Sequence, residues 1–421
     1  MKNLGNDFNV VQEILDKTEE ELEKMSPINI LIAGKTGVGK STLINSVFRE
    51  KLATTGIGKP VTPHLRRISK KGVPVVLYDT RGLELEQSVQ KQVKKEISDL
   101  FNKTKGTKEE LHAVYYCING NSSRIESLEL DLITELSKQL PVLVVLTQSI
   151  GQPAVEFKTY IEELNLPVAG VLNVMAEPYP VSEEYTIPAS GLKELIERTF
   201  SVIPEDAKKA FNNAQQADIA RKARAARRWA TRYIVTTFGV GFIPIPFSDA
   251  SLLVPMQVTL LAHITAIFGI SLDKASIVSM VAAVGGTSGT TFLGRSMVAN
   301  VIKFIPGAGT LAGGIISGTT AAMLTSALAM SYIEVLTLIA NGEKEGKYPD
   351  LSKLETLMRE RFETKLKVRS KKKTLKGVTK VEDQEMSELE QFLTKDTKRS
   401  NGKMAVLQRA AKKVLDKCLN K

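Results

Sequence analysis

Cysteine is almost missing from this chain. Cys117 and Cys418 are the two in 421 residues, one in an apolar run and the other near the end. That spacing excludes a disulfide framework and fits a reducing cytosol. Histidine is scarce as well, with three, and no Cys/His cluster suggests zinc. Residues 1–25 are polar and acidic after Lys2, so no secretory signal is expected. Acid is in short supply overall, with 46 Asp/Glu against 57 Lys/Arg. The imbalance is concentrated: residues 343–421 hold 22 Lys/Arg and 13 Asp/Glu, a surplus of nine. Charge of either sign is absent from residues 304–333. Such a run exceeds the roughly 20 apolar residues that span a bilayer.

What is present begins with Gly34-Lys-Thr-Gly-Val-Gly-Lys-Ser41, which fits G-x-x-x-x-G-K-[ST] at every fixed position. The apolar run Ile28 to Ala33 leads in, and a helix-compatible run starting at Ser41 follows. Strand, glycine-rich loop and helix together make a phosphate-binding loop. Its backbone N–H groups form a nest for anionic oxygens, and the helix aims its positive end at the same charge. Lys40 is expected to reach the β- and γ-phosphates, and the Ser41 hydroxyl to hold Mg²⁺. About forty residues on, the run Val-Val-Leu-Tyr ends in Asp79-Thr-Arg-Gly82. A carboxylate at a strand end holds Mg²⁺ through water, and the Gly82 N–H can meet the γ-phosphate.

Alternation continues after this point. Runs at 65–69, 73–79, 113–119, 142–147 and 168–175 read as strands; 84–101, 125–139, 155–164 and 191–200 read as helices. Residues 52–63, rich in Gly, Thr and Pro, read as a loop. The expected fold is α/β: a P-loop domain with a mostly parallel sheet covered on both faces, then an all-α domain. Expected domains are an N-terminal helix at 1–25 packed beside the nucleotide domain, the P-loop domain at 26–204, a Gly/Ala-rich helical domain at 205–342, and a basic helical tail at 343–421.

Residues 26–204 resemble the Era-like branch of the small GTPases, and the resemblance implies GTP/GDP and Mg²⁺ as cofactors. Thr62, in Lys-Pro-Val-Thr-Pro, resembles the switch I threonine that completes Mg²⁺ coordination. Asp79-Thr-Arg-Gly82 resembles switch II. Leu146-Thr-Gln-Ser149 falls where the guanine-specificity motif belongs, and residues 173–176 where the last base-contacting loop belongs. The implied nucleotide-binding set is Gly34, Lys35, Thr36, Gly37, Val38, Gly39, Lys40, Ser41, Thr42, Asp79, Gly82, Thr147 and Gln148. Ser41, Thr62 and Asp79 are the metal set, and Lys40 and Thr62 the catalytic pair. Two departures stand out. Ile150 occupies the place of the aspartate that pairs with guanine, which leaves the base donors unpaired at a cost of roughly 1–3 kcal/mol. Leu83 follows Gly82 where many switch GTPases carry a water-orienting Gln, so slow intrinsic hydrolysis is expected. Gly37 stands where potassium-activated relatives place Asn, so no K⁺ dependence is expected. His64 reads as a solvated loop residue.

Residues 205–233 read as one long helix with a basic segment, Arg221-Lys-Ala-Arg-Ala-Ala-Arg-Arg-Trp-Ala-Thr-Arg232. It suits either an anionic surface or a solvated interdomain helix. Residues 215–340 resemble the bacterial helical domain of unknown function that often follows Era-like GTPases, through Ile243-Pro-Ile-Pro-Phe-Ser-Asp249, Ile267-Phe-Gly269 and Phe304-Ile-Pro-Gly-Ala-Gly-Thr-Leu-Ala-Gly-Gly314. Its small-residue helices fit a soluble bundle or membrane-inserting hairpins. The leading expectation is a slow, nucleotide-dependent GTPase switch controlling this helical half. The alternatives are a nucleotide-gated membrane-remodelling effector and an RNA- or ribosome-associated assembly GTPase. Partners left open are a membrane contacted through 234–340, a second copy in a homodimer, nucleic acid through the basic segments, and an effector the sequence does not identify. The expected location is the cytoplasm, or the inner face of the membrane as a peripheral or integral protein. In the tail, 348–367 and 405–419 read as helices.

Overall fold

The computed structural model describes residues 4–81, 87–238, 250–270, 272–285, 318–344 and 350–371. Residues 1–366 form one compact unit. Of the second, 367–421, only the end of one helix is described. The expected helix at 405–419 lies outside the described residues, as do Gly82, Leu83 and the segments 243–249 and 304–314.

Seven strands form one sheet in the order β2-β3-β4-β1-β5-β6-β7. They are β1 (Ile28–Ala33), β2 (Ile57–Pro60), β3 (Leu65–Lys70), β4 (Val73–Thr80), β5 (Ala113–Asn119), β6 (Val142–Thr147) and β7 (Gly170–Val174). β2 and β3 run antiparallel to their neighbours, and every other pairing is parallel. β2 lies within the stretch read as a loop. Its Gly58 and Pro60 are poor strand residues, tolerated because β2 is an edge with one partner. Side chains alternate between two cores with the strand period of two. Ile28, Ile30, Ile32, Tyr115 and Cys117 face one side; Leu31, Ala33, Val114, Tyr116 and Ile118 face the other.

On the first face lie α2 (Lys40–Val47) and α3 (Leu52–Thr55), with α7 (Leu192–Val202) and α8 (Glu205–Ala214) beside them. On the second lie α4 (Gln87–Thr104), α5 (Ser127–Ser137) and α6 (Gly151–Glu163), through Val93, Ile97, Leu132, Ile133 and Phe157. A small hairpin, β8 (Tyr179–Pro180) and β9 (Thr186–Ile187), follows β7.

A separate all-helical core holds α9 (Ile219–Phe238), α10 (Ala250–Phe268), α11 (Lys274–Gly285), α12 (Gly318–Lys344) and α13 (Leu351–Lys371). The long helix expected over 205–233 is two helices. Asp218 accepts the Arg221 N–H at 2.9 Å and caps α9. Gln215 accepts the Asp218 N–H at 2.8 Å and holds that turn. α8 stays with the sheet through Ala207, Phe211 and Ala214, so the packing changes at 215–218 rather than at Pro204.

The first helix, α1 (Leu4–Glu23), expected beside the nucleotide domain, does reach Lys71 there through Glu19 at 3.3 Å, but its buried face goes elsewhere. Its Val11 and Ile14 belong to the helical core and not to the nucleotide domain. Lys17 Nζ donates to Thr259 Oγ1 at 3.1 Å, and His263 Nδ1 lies 3.1 Å from Glu21. An apolar stripe specifies burial, but not the surface that buries it.

Among the described residues one stretch, Leu324–Glu343 in α12, is long and apolar enough to cross a membrane. Two thirds of its apolar window (67%) is buried inside the protein, where Leu328, Tyr332, Ile333 and Leu336 pack in the helical core.

Candidate nucleotide site

The phosphate loop hangs between β1 and α2. Gly34 has φ 140°, and a Cβ there would come within 2.3 Å of the Cys117 carbonyl oxygen, so no other residue fits. Gly37 and Gly39 also have positive φ, 80° and 91°. α2 starts at Lys40 with no side chain capping it, which leaves its first N–H groups available to an anion. Lys40 Nζ donates to the Gly34 and Lys35 carbonyls at 2.6 and 2.8 Å, so its ammonium lies across the hollow of the loop. Lys35 points elsewhere, to Glu126 at 2.6 Å, the residue at the N-cap of α5, and to Glu129 at 3.3 Å in its first turn. That pair offsets the burial that would lower its pKa and holds it above its ordinary value. Thr36 and Gly37 are exposed at the loop tip, and Ser41 and Thr42 are exposed on the first turn of α2.

Asp79 pairs in register with Ile32, two residues before Gly34. Burial pushes its carboxyl above its ordinary pKa, although Lys40, Arg81 and Arg66 pull the other way. Its Oδ1 is buried and has no hydrogen-bond partner. A buried carboxylate oxygen left unpaired costs free energy unless a cation or its water fills the place. Asp79 with the exposed Ser41 hydroxyl therefore fits Mg²⁺. Cys117 behind the loop is not a nucleophile; burial pushes its thiol up to about 12.

The base side is tied together already. Thr147 is buried at the end of β6, and its hydroxyl lies between the Val38 and Ile118 carbonyls, with one proton to share between them. Gln148, at φ 55°, accepts from Asn119 Nδ2 at 3.0 Å through its side chain and from Asn121 Nδ2 at 2.7 Å through its carbonyl. Its Nε2 would sit 3.3 Å from a Cβ on Gly39, so it backs the phosphate loop. Ser149 Oγ bonds the Leu146 carbonyl at 2.7 Å and Asn173 Oδ1 at 3.2 Å. Ile150 gives the turn an N–H to Asn121 at 3.4 Å and no carboxylate. Asn119 and Asn121 escaped the sequence reading, whereas Asn173 opens the 173–176 segment expected at the base. Asn119 sits at the carboxyl end of β5 beside Thr147, where ligands of such sheets bind, and that place was the available signal.

Thr62 is engaged elsewhere. Its hydroxyl donates to Glu96 Oε2 on α4 and accepts the Leu65 N–H at 3.1 Å. His64, expected as a solvated residue, is also held: its Nδ1 lies 3.0 Å from Glu96 Oε1 and its N–H 3.3 Å from Oε2. Burial pushes the Glu96 carboxyl up, and the bonds from Thr62 and His64 outweigh it and hold it low.

Residues 29–148 match a family model described as 50S ribosome-binding GTPase. Among curated proteins the chain is similar to Translocase of chloroplast 108, chloroplastic, of Physcomitrium patens, 38% identical over 77 residues. That match covers 18% of this chain and 8% of the relative. It is also similar to tRNA modification GTPase MnmE of Carboxydothermus hydrogenoformans, 28% identical over 165 residues. There the match covers 38% of this chain and 34% of the relative. The chain thus spans well under half the length of these relatives. Among solved structures, a probable GTP-binding protein EngB is similar with TM-score 0.31 and 19% identity, over 41% of this chain and 97% of that one. The matched segment, with its phosphate loop and mostly parallel sheet, is a P-loop GTPase domain.

Proposed function

We propose that the chain is a slow, Mg²⁺-dependent GTPase whose nucleotide state controls the packing of its helical half. The observation that carries this reading is the cradle itself. Lys40 spans the loop carbonyls, and Asp79, paired with Ile32 on the strand that leads into the loop, keeps a buried Oδ1 without a hydrogen-bond partner. Bound Mg²⁺ would be held by Ser41 and Asp79 and would neutralise phosphate charge. Leu83 cannot orient water, which supports a low intrinsic rate unless a partner or a second copy supplies that group.

A physical route to the helical half exists in the seam behind α2. The Gln216 N–H donates to the Val47 carbonyl at 2.8 Å, and Gln216 Nε2 to the Asn45 carbonyl at 2.6 Å. Arg49 donates to Asn213 Oδ1 at 2.9 Å. Lys222 donates to the Asn213 and Phe268 carbonyls at 2.8 and 2.5 Å. Burial brings the Arg49 pKa down to about 10 and that of Lys222 well below its ordinary value. Calorimetric titration with GTP, GDP and ATP, each with Mg²⁺, tests the reading. Binding of guanine nucleotides that Lys40→Ala removes supports it; unchanged GTP binding and hydrolysis in Lys40→Ala rejects it.

A second reading makes the helical half a membrane-associated effector gated by nucleotide at the cytoplasmic face. The apolar stretch in α12 and the uncharged run 304–333 favour it. Flotation with anionic liposomes, with and without a non-hydrolysable GTP analogue, decides: no lipid binding in either state removes it.

A further inference from the structure

Three polar groups of the segment after β2 converge on one carboxylate. Thr62 Oγ1 and the His64 N–H meet Glu96 Oε2, and His64 Nδ1 meets Oε1 at 3.0 Å. Gln92 Nε2, one turn earlier on α4, donates to Oε1 at 3.2 Å. The Glu96 side chain is 11% exposed and that of His64 17%, so water competes weakly for these bonds. The segment is also folded on itself, with the Val61 and Thr62 N–H groups on the Leu65 carbonyl at 2.8 and 3.3 Å. The His64 carbonyl accepts the Arg81 N–H at 2.9 Å, at the start of the loop after β4. α4 and α2 lie on opposite faces of the sheet. A hydroxyl bonded to Glu96 is therefore committed to the α4 side, while Ser41 belongs to α2. It has one proton, already given to the carboxylate, and a lone pair taken by Leu65.

We infer that Glu96 is a positioning residue that latches the Thr62–His64 segment away from the metal site, so that Mg²⁺·triphosphate must break this contact to recruit Thr62. The inference rests on the GTPase-switch reading. Hydrogen bonds to an ionised carboxylate are roughly twice as strong as neutral ones. Releasing them opposes the triphosphate state alone, because a diphosphate does not draw Thr62 in. The latch thus sets the ratio of triphosphate to diphosphate affinity, whereas residues of the phosphate loop set both.

The test is titration of the full chain with GDP and with a non-hydrolysable GTP analogue, both with Mg²⁺. Glu96→Ala is expected to tighten the analogue by about tenfold and to leave GDP within about twofold. Glu96→Gln, which keeps the shape, is expected to shift the ratio less and in the same direction. In a Thr62→Ala background the Glu96 substitution is expected to leave the ratio unmoved. An unchanged ratio in both Glu96 variants overturns the latch, and so does a shift that persists without the Thr62 hydroxyl. GDP binding reports that each variant is folded; if Glu96→Ala loses it, Glu96→Gln carries the test. A wild-type chain that binds neither nucleotide overturns the switch reading itself, and the latch with it.

Discussion

On the base side of the phosphate loop, Thr147 bonds the Val38 carbonyl, Gln148 backs Gly39, and Asn119 and Asn121 tie the two strand ends together. On the γ-phosphate side, Thr62 and His64 are bonded to Glu96 on another helix. The first region can receive a nucleotide as it stands. The second must let go of existing contacts before it can touch one. Diphosphate binding then draws on preformed geometry, while the extra phosphate must also drive a rearrangement. On the proposed switch reading, such a protein would report which nucleotide it holds, because only one of them would reorganise it.

Four substitutions sharpen or break this contrast. Lys40→Ala removes the cation common to both halves, so GTP and GDP should each weaken by about 100-fold or more in calorimetry. Survival of either would mean the phosphate loop is not the anchor. Asp79→Asn takes away the charge that fits the metal. The tightening that Mg²⁺ gives GTP should fall by about tenfold, measured as the difference with and without Mg²⁺. Thr147→Val cuts the bond to Val38 and should weaken GTP and GDP alike, by about tenfold, because it belongs to the preformed half. A selective loss of GTP would place Thr147 in the moving half instead. The smallest change expected is from Ile150→Asp, which restores a carboxylate to the base turn. The GTP-to-ATP affinity ratio should rise about fivefold, and an unchanged ratio would mean the base edge lies away from residue 150.

The preformed half was the legible one. Residues 34–41 announce themselves because backbone geometry dictates their glycines, as the collision at Gly34 shows. Asp79 was readable as an acid ending a buried strand. Glu96 was not, since one acid in a polar helix gives no sign that residues some thirty positions earlier will fold onto it. Gln215 and Asp218 hid a helix break for a similar reason: their reciprocal bonds are local, but the surrounding Ala-rich spacing continues through them. His64 looked like a surface residue because the carboxylate that shelters it comes from another element.

The place of α1 has a consequence for how the molecule comes into being. Helix α1 and helices α9 to α13 build one apolar core, and the whole nucleotide-binding sheet lies between them in the chain. The GTPase domain is nested inside the helical one. During synthesis the stripe carrying Val11 and Ile14 emerges first, then waits for α10, more than 200 residues later, to cover it. The sheet can close on its own nearby contacts in that interval. The helical core has to be completed last, by bringing together two distant stretches across a finished domain. Cutting the chain just before β1 would thus injure the part of the molecule farthest away in sequence and spare the part next to the cut.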